Sequence, residues 1–354
     1  MAHRYNKGEW SELYAFLFSL ANGEMYGADE NLDKDPNIKY DIISAFQSDN
    51  EYLRSMPTSN VDFVIGGVTY TVPFSDFKFE ADKLFQGIKN GSGRTFEIPD
   101  IEPFIKRLKI HSLKAGSRLK GDLVIKVHDA MTSTNPILSF SVKSYIGGRA
   151  TLLNASGGTN ITYSVLTPTA PLTSSDIDEI NNIGGSSKIK DRIAKIYQKG
   201  AELKFESISS DTFTKNLQMI DYRMPELLSL LFEESYFVRG KKIPDVVDSF
   251  IRKTGEDKEI IEYKVKQLLI ACALGMVPQT PWHGLDEATG GYIVVKDDAD
   301  VLCYHIYDRN KLSKYLYTHT AFDTPSSSRY GIGEIIVDPL TSELKFVLNL
   351  QIRF

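Results

Sequence analysis

Two short runs of alternating apolar residues, joined by a segment of turn formers, constrain this chain more than any other feature. Leu123, Ile125 and Val127 alternate with other residues on one side of Thr132-Ser-Thr-Asn-Pro136, and Leu138, Phe140 and Val142 do so on the other. A period of two gives each run one apolar face, and the intervening Thr, Ser, Asn and Pro supply turn chemistry, so the segment reads as a β-hairpin. Asp122 opens the first strand and Lys143 closes the second. A hairpin brings both to the same edge.

A carboxylate beside a lysine at such an edge suits one kind of chemistry. The hard oxygen of Asp122 can take Mg²⁺, and the Lys143 ammonium can orient a water and offset charge on a phosphodiester as the water attacks. The backbone carbonyl of Val142 lies where another metal ligand is needed. Ser141, two positions before the lysine, carries a hydroxyl where a second carboxylate would serve better. No acidic residue occurs between Lys143 and Asp176, so the missing acid is expected from elsewhere. Glu12 leads, ahead of Glu9, Asp29 and Glu30. On spacing alone, a half-exposed strand pair whose charges simply face solvent is the commoner origin of such a segment.

At 354 residues, with 42% hydrophobic and 25% charged residues, the chain has room for one large domain or two packed ones and the composition of an ordinary globular protein. No apolar run is long enough to span a bilayer, and the start lacks a signal-peptide pattern, which points to the cytoplasm. Cys272 and Cys303 fit neither a disulfide framework nor a zinc site and read as buried thiols. The net charge of −5 gives no general argument for nucleic acid, so local clusters must carry it. Lys106, Arg107, Lys109, His111, Lys114, Arg118 and Lys120 lead into Asp122; Lys188, Lys190, Arg192, Lys195 and Lys199 form a second cluster on an expected helix. Each could neutralise phosphates or be a solvated face.

Asn6 with Glu9 forms a capping-box pattern, Trp10, Leu13, Tyr14, Leu17 and Phe18 recur at helical spacing, and Asn22-Gly23 offers a stop. The segment 25–35 reads as an acidic loop and 38–53 as a helix. A glycine-turn hairpin over 61–72 and a helix over 79–89 follow. After the central hairpin come a Gly/Ser/Asn loop running into a strand, helices over 174–182, 188–200, 225–232, 244–253 and 260–274, and strands beginning at 291, 301, 333 and 344. This order predicts an α/β fold with an α/β part over 1–215 that holds the candidate nuclease hairpin at 120–145, and a helical link and β-rich part over 216–354. Asp297-Asp-Ala-Asp300 lacks the spacing of a calcium loop, the histidines lack a nucleophile motif, and no glycine pair matches a nucleotide-binding fingerprint.

The residues resemble those of the HpaII-type restriction endonuclease family. The similarity runs through Glu12-Leu-Tyr and Ala28-Asp-Glu-Asn-Leu, Lys120-Gly-Asp with His128-Asp129, Phe140-Ser-Val-Lys-Ser and Thr151-Leu-Leu-Asn-Ala-Ser. It continues in Pro281-Trp-His-Gly, Phe322-Asp-Thr-Pro-Ser-Ser-Ser and the terminal Leu348-Asn-Leu-Gln-Ile-Arg-Phe. The resemblance implies a restriction-endonuclease-like mixed β-sheet core flanked by helices with a C-terminal α+β part. It also implies a Mg²⁺-dependent type II restriction enzyme of the PD-(D/E)xK superfamily cutting double-stranded DNA, by default at CCGG. Ser141 departs from that motif, which keeps open the alternative of a non-catalytic DNA-binding protein with a degenerate nuclease fold.

On this reading Asp122, Lys143, Ser141 and Glu12 are the catalytic candidates, and Asp122, Val142 and Glu12 the metal ligands. Asn154, Ser156, Thr159 and Asn160 would approach the duplex, or form a plain surface loop. Arg309 and Arg329 are candidates for reading guanine and Arg118 for a DNA contact, since arginine is bidentate to O6 and N7. A symmetric site favours a homodimer, although a monomer can cut the strands in turn. The expected setting is a bacterial cytoplasm with a companion cytosine methyltransferase that protects the same site.

Overall fold

A computed structural model describes residues 3–112, 121–129, 132–148, 150–168, 170–325 and 332–354. The fold is α/β and divides into two units: one comprises residues 1–150, 273–275 and 286–315, the other 151–272, 276–285 and 316–354.

In the first unit a nine-stranded mixed sheet runs in the order Glu24–Ala28, Val301–His305, Gly291–Val295, Ile137–Ser144, Leu123–His128, Lys34–Gln47, Asn50–Ser55, Asn60–Ile65 and Val68–Pro73. The 24–28 strand also pairs with the 34–47 strand, so six strands close on themselves. The 137–144 strand pairs antiparallel with 123–128 and parallel with 291–295. Helix α1 (Lys7–Asn22) starts on the expected capping box and stops at Gly23, whose φ of 74° is left-handed. It packs with helix α2 (Phe74–Asn90) over the sheet face that carries Ile125, Val127, Phe140, Val142 and Ile293, with Trp10, Leu13 and Leu17 buried between.

The segment 38–53, expected to be helical, is two strands. Its turn residues Ser48 and Asp49 both have positive φ, and Gln47 faces Asn50 in a two-residue hairpin loop. A register shift between Ile42 and Ser44 breaks the alternation, so Ile42 and Ala45 are buried at a spacing that imitates a helix turn. The expected acidic loop at 25–35 likewise includes most of the 24–28 strand.

The second unit holds a four-stranded sheet in the order Glu202–Ile208, Asn160–Leu166, Leu344–Asn349, Ile335–Val337, and a three-stranded one in the order Thr151–Leu153, Gln351–Arg353, Ala321–Asp323. Helices Ser174–Asn181, Lys188–Gln198, Asp211–Ile220, Met224–Ser235 and Ile243–Thr254 belong to it. The structural division therefore differs from the expected one at 215. Residues 151–166 leave the first unit because they pair with the chain's last strands, Asn160 opposite Asn349, whereas 291–305 join it because they extend the sheet beside the central hairpin. Cys272 and Cys303 are free, buried thiols, and burial pushes Cys272 up to about 12. No helix among the described residues is long and apolar enough to cross a membrane.

Candidate active site

The hairpin closes with Leu123 opposite Phe140, and the Asp122 N–H donates to the Phe140 carbonyl at 2.9 Å. The Asp122 N–H thus bonds to the carbonyl of the residue that Leu123 already faces, a bulge-like irregularity at the end of the ladder, and the Asp122 side chain lies beside Ser141 and Val142. Gly121 makes the approach possible. Its φ is 149°, and a Cβ there would lie 2.8 Å from the Ser139 Cβ.

One carboxylate oxygen of Asp122 is anchored. Its Oδ2 accepts from the Val142 N–H at 2.8 Å and lies 3.4 Å from the Ser141 hydroxyl. Because the N–H and C=O of an extended residue point to the same side, the Val142 carbonyl also faces the edge beside Asp122, beyond the last paired residues of the hairpin. Lys143, two residues after Ser141, projects from the same face as Ser141. Asp122, Ser141 and Lys143 are all half-buried.

Glu12 joins them from α1. The helix docks on the hairpin through the Ser11 hydroxyl, which donates to the Lys7 carbonyl at 2.7 Å and is hydrogen-bonded to the Ser144 hydroxyl at 2.8 Å. Glu12, the next residue, is enclosed near Asp122 and Lys143. Burial, reinforced by the Asp122 charge and opposed by Lys143, pushes its carboxyl up to about 8. The other acids considered have different work. Glu9 accepts from the Asn6 N–H at 2.8 Å in the capping box, Asp29 accepts from the N–H groups of Asn31 and Asp33, and Glu30 pairs with Lys314 at 2.7 Å.

Two carboxyls forced together beside a lysine suit a divalent cation. Among the described residues no group of three His, Cys, Asp or Glu side chains stands together to hold a metal ion. Mg²⁺ commonly takes one or two carboxylates and keeps several waters. Asp122 Oδ1, Glu12 and the Val142 carbonyl match that donor set.

The family model described as "HpaII restriction endonuclease" matches residues 6–354. The chain belongs to the HpaII restriction endonuclease family. The Type II restriction enzyme HpaII of Haemophilus parainfluenzae is 40% identical to it over 99% of this chain and 98% of that relative. No solved structure matches. Membership in the HpaII family makes this chain a site-specific endonuclease, and the hairpin with α1 is where the first unit brings Glu12 near Asp122 and Lys143.

The expected DNA contacts are placed less uniformly. In the second unit, Thr159 is fully buried: its hydroxyl donates to the Ser156 carbonyl at 3.1 Å and accepts from the Ser156 N–H at 3.0 Å. Thr159 thus holds a turn instead of facing a duplex. Asn349 Nδ2 donates to the Ser156 carbonyl at 2.6 Å and to Asn160 Oδ1 at 2.5 Å, so both support the same turn. Asn154 is exposed. Arg309, in the first unit, pairs with Asp286, and Lys311 pairs with Asp35 at 3.2 Å; the acid partner already neutralises Arg309, one of the two arginines expected to read guanine. Arg118 and Arg329 lie outside the described residues.

Sequence reasoning missed Tyr292. It stands opposite Ser141 on the neighbouring parallel strand, its ring is fully buried, and its hydroxyl has no hydrogen-bond partner among the described residues. Asp122 is among the charges that hold this phenol protonated, after burial and the Tyr315 and Tyr304 hydroxyls. Gly290-Gly291-Tyr292 marked a strand, but nothing local signals a parallel pairing across some 150 residues.

Proposed function

We propose that this chain is a type II restriction endonuclease of the PD-(D/E)xK kind that hydrolyses phosphodiesters in double-stranded DNA with Mg²⁺, at the CCGG site that family resemblance implies. The observation that carries the reading is the convergence of Glu12, Asp122 and Lys143 at the open end of one hairpin. Asp122 Oδ1, the Val142 carbonyl and Glu12 would hold the cation, which when bound supplies Lewis-acid charge at the scissile phosphate. Glu12 fills the place that Ser141 leaves without a carboxylate. The Lys143 ammonium orients the attacking water and offsets charge as the new P–O bond forms and one bridging P–O bond breaks. Ser141 and the Val142 N–H fix Asp122 so that its other oxygen stays turned to the site.

A palindromic target is read most simply by a homodimer with one site per strand. A cytosine methyltransferase of the same specificity would protect host DNA in the bacterial cytoplasm. Supercoiled plasmid of known sequence tests the reading. With Mg²⁺ the protein should give discrete fragments whose mapped ends fall at CCGG, while Asp122→Ala and Lys143→Ala bind DNA and leave it intact. Tight binding without cutting at any divalent ion would instead identify a DNA-binding protein that has lost the chemistry.

A further inference from the structure

The second lysine-rich cluster separates into two kinds of side chain once the helix 188–198 is in place. Arg192 is buried: it donates to the carbonyls of Ile183 at 3.1 Å, Gly333 at 2.5 Å and Asn181. Lys195 pairs with Glu179 at 2.6 Å, and Lys199 with Asp176 at 2.6 Å and Glu179 at 2.7 Å. Those three are structural. Lys188 and Lys190 form no ion pair among the described residues, and both line a cavity of about 350 Å³ at the start of the helix.

A third lysine enters the cavity from another element. Lys241 donates to the Thr324 hydroxyl at 3.2 Å and sits 3.8 Å above the Tyr236 ring. Among the described residues it makes no salt bridge. The neighbouring carboxylate of Asp323 pairs instead with Arg353 at 3.2 Å. Burial pulls the Lys241 ammonium down to about 8, against a smaller opposing pull from Asp323, so it is a desolvated cation with no ion-pair partner among the described residues. The helix start adds first-turn amides. Ser187 occupies its cap position without a side-chain capping bond. Asp191 is the acid in that first turn.

We propose that this cavity seats a backbone phosphate of duplex DNA between Lys188, Lys190 and Lys241. A phosphodiester brings one negative charge and several acceptor oxygens, which matches three converging ammonium groups and a hydroxylated helix start. Such a contact fixes position and carries no base information. The proposal rests on the reading of the chain as a DNA-cutting enzyme.

Duplex affinity measured across a salt series tests it on the intact protein. Lys188→Gln/Lys190→Gln and, separately, Lys241→Gln should weaken binding roughly tenfold and make the slope of log affinity against log salt shallower by about 0.9 per phosphate lost. Lys188→Arg should restore the slope, and Lys195→Gln, on the same helix but paired with Glu179, should leave it unchanged. Melting temperatures within a degree or two of wild type show that the variants fold. Unchanged salt slopes in variants that still cut DNA would overturn the phosphate site while leaving the nuclease reading standing. Wild-type protein that neither binds nor cuts duplex would overturn both. If inorganic phosphate at millimolar concentration raises the melting temperature of wild type but not of Lys241→Gln, while salt slopes match, the cavity takes a free anion and the duplex assignment fails.

Discussion

Replacing Glu12 by glutamine tests the active site without requiring substrate. The Glu12 carboxyl titrates near 4.5 in an unfolded chain and is pushed up to about 8 in the folded one, chiefly by burial and then by Asp122. Between those values the folded state holds a proton that the unfolded state has released, so stability falls as pH rises through the window. Each pH unit costs about 1.4 kcal/mol for one such proton, which makes the total on the order of 4 to 5 kcal/mol between pH 4.5 and 8. Glutamine does not titrate. Denaturant unfolding of wild type and Glu12→Gln in metal-free buffer should give curves that coincide near pH 4.5 and separate progressively in favour of the variant up to pH 8, then run parallel. Mg²⁺ should narrow the gap at alkaline pH, since a cation stabilises the ionised carboxylate, and should release a proton on binding below pH 8. A constant offset between the two pH profiles would refute the raised carboxyl and the clustering behind it.

Other perturbations have definite outcomes. Tyr292→Phe removes a buried hydroxyl that has no partner among the described residues and should stabilise the protein by about 1 kcal/mol in denaturant titrations. Gly121→Ala places a Cβ 2.8 Å from that of Ser139 at a φ of 149°; shifting Asp122 should lower plasmid cleavage at least tenfold, and by more than it lowers duplex binding. Asn6→Ala removes the side chain that accepts from the Glu9 N–H at 3.0 Å and should cost about 1 kcal/mol of stability. Ser11→Ala deletes the hydroxyl bridge to Ser144; it should reduce cleavage more than duplex binding, because Glu12 then loses its seat beside Asp122.

The parts of the fold written in nearby residues were legible in the sequence. Asn6, Glu9 and Gly23 delimit α1, because caps act over one turn, and the 123–144 hairpin follows from its alternation and turn. The two strands at 34–55 were misread because a register shift mimics helical spacing, and that shift is set by pairing with 123–128. At the site, Asp122 and Lys143 could be named from their place in the hairpin. Glu12 could be named only as the leading candidate, since its position depends on how α1 docks against the 137–144 strand. Tyr292 could not be found, because its role depends on a parallel neighbour distant in sequence. The fate of each lysine in the second cluster was likewise hidden, since Glu179 and Asp176 sit on a separate helix.

The strand that carries Lys143 is flanked by one neighbour made just before it and another, 291–295, made much later. A growing polypeptide leaving the ribosome therefore carries an unpaired β edge at 137–144 while the next 150 or so residues are added. The cleavage machinery would stay incomplete until nearly the entire chain has been translated. Such late closure makes folding slow and dependent on distant contacts, and it also means that prematurely terminated fragments ending before residue 291 would lack the wall against which the hairpin is set.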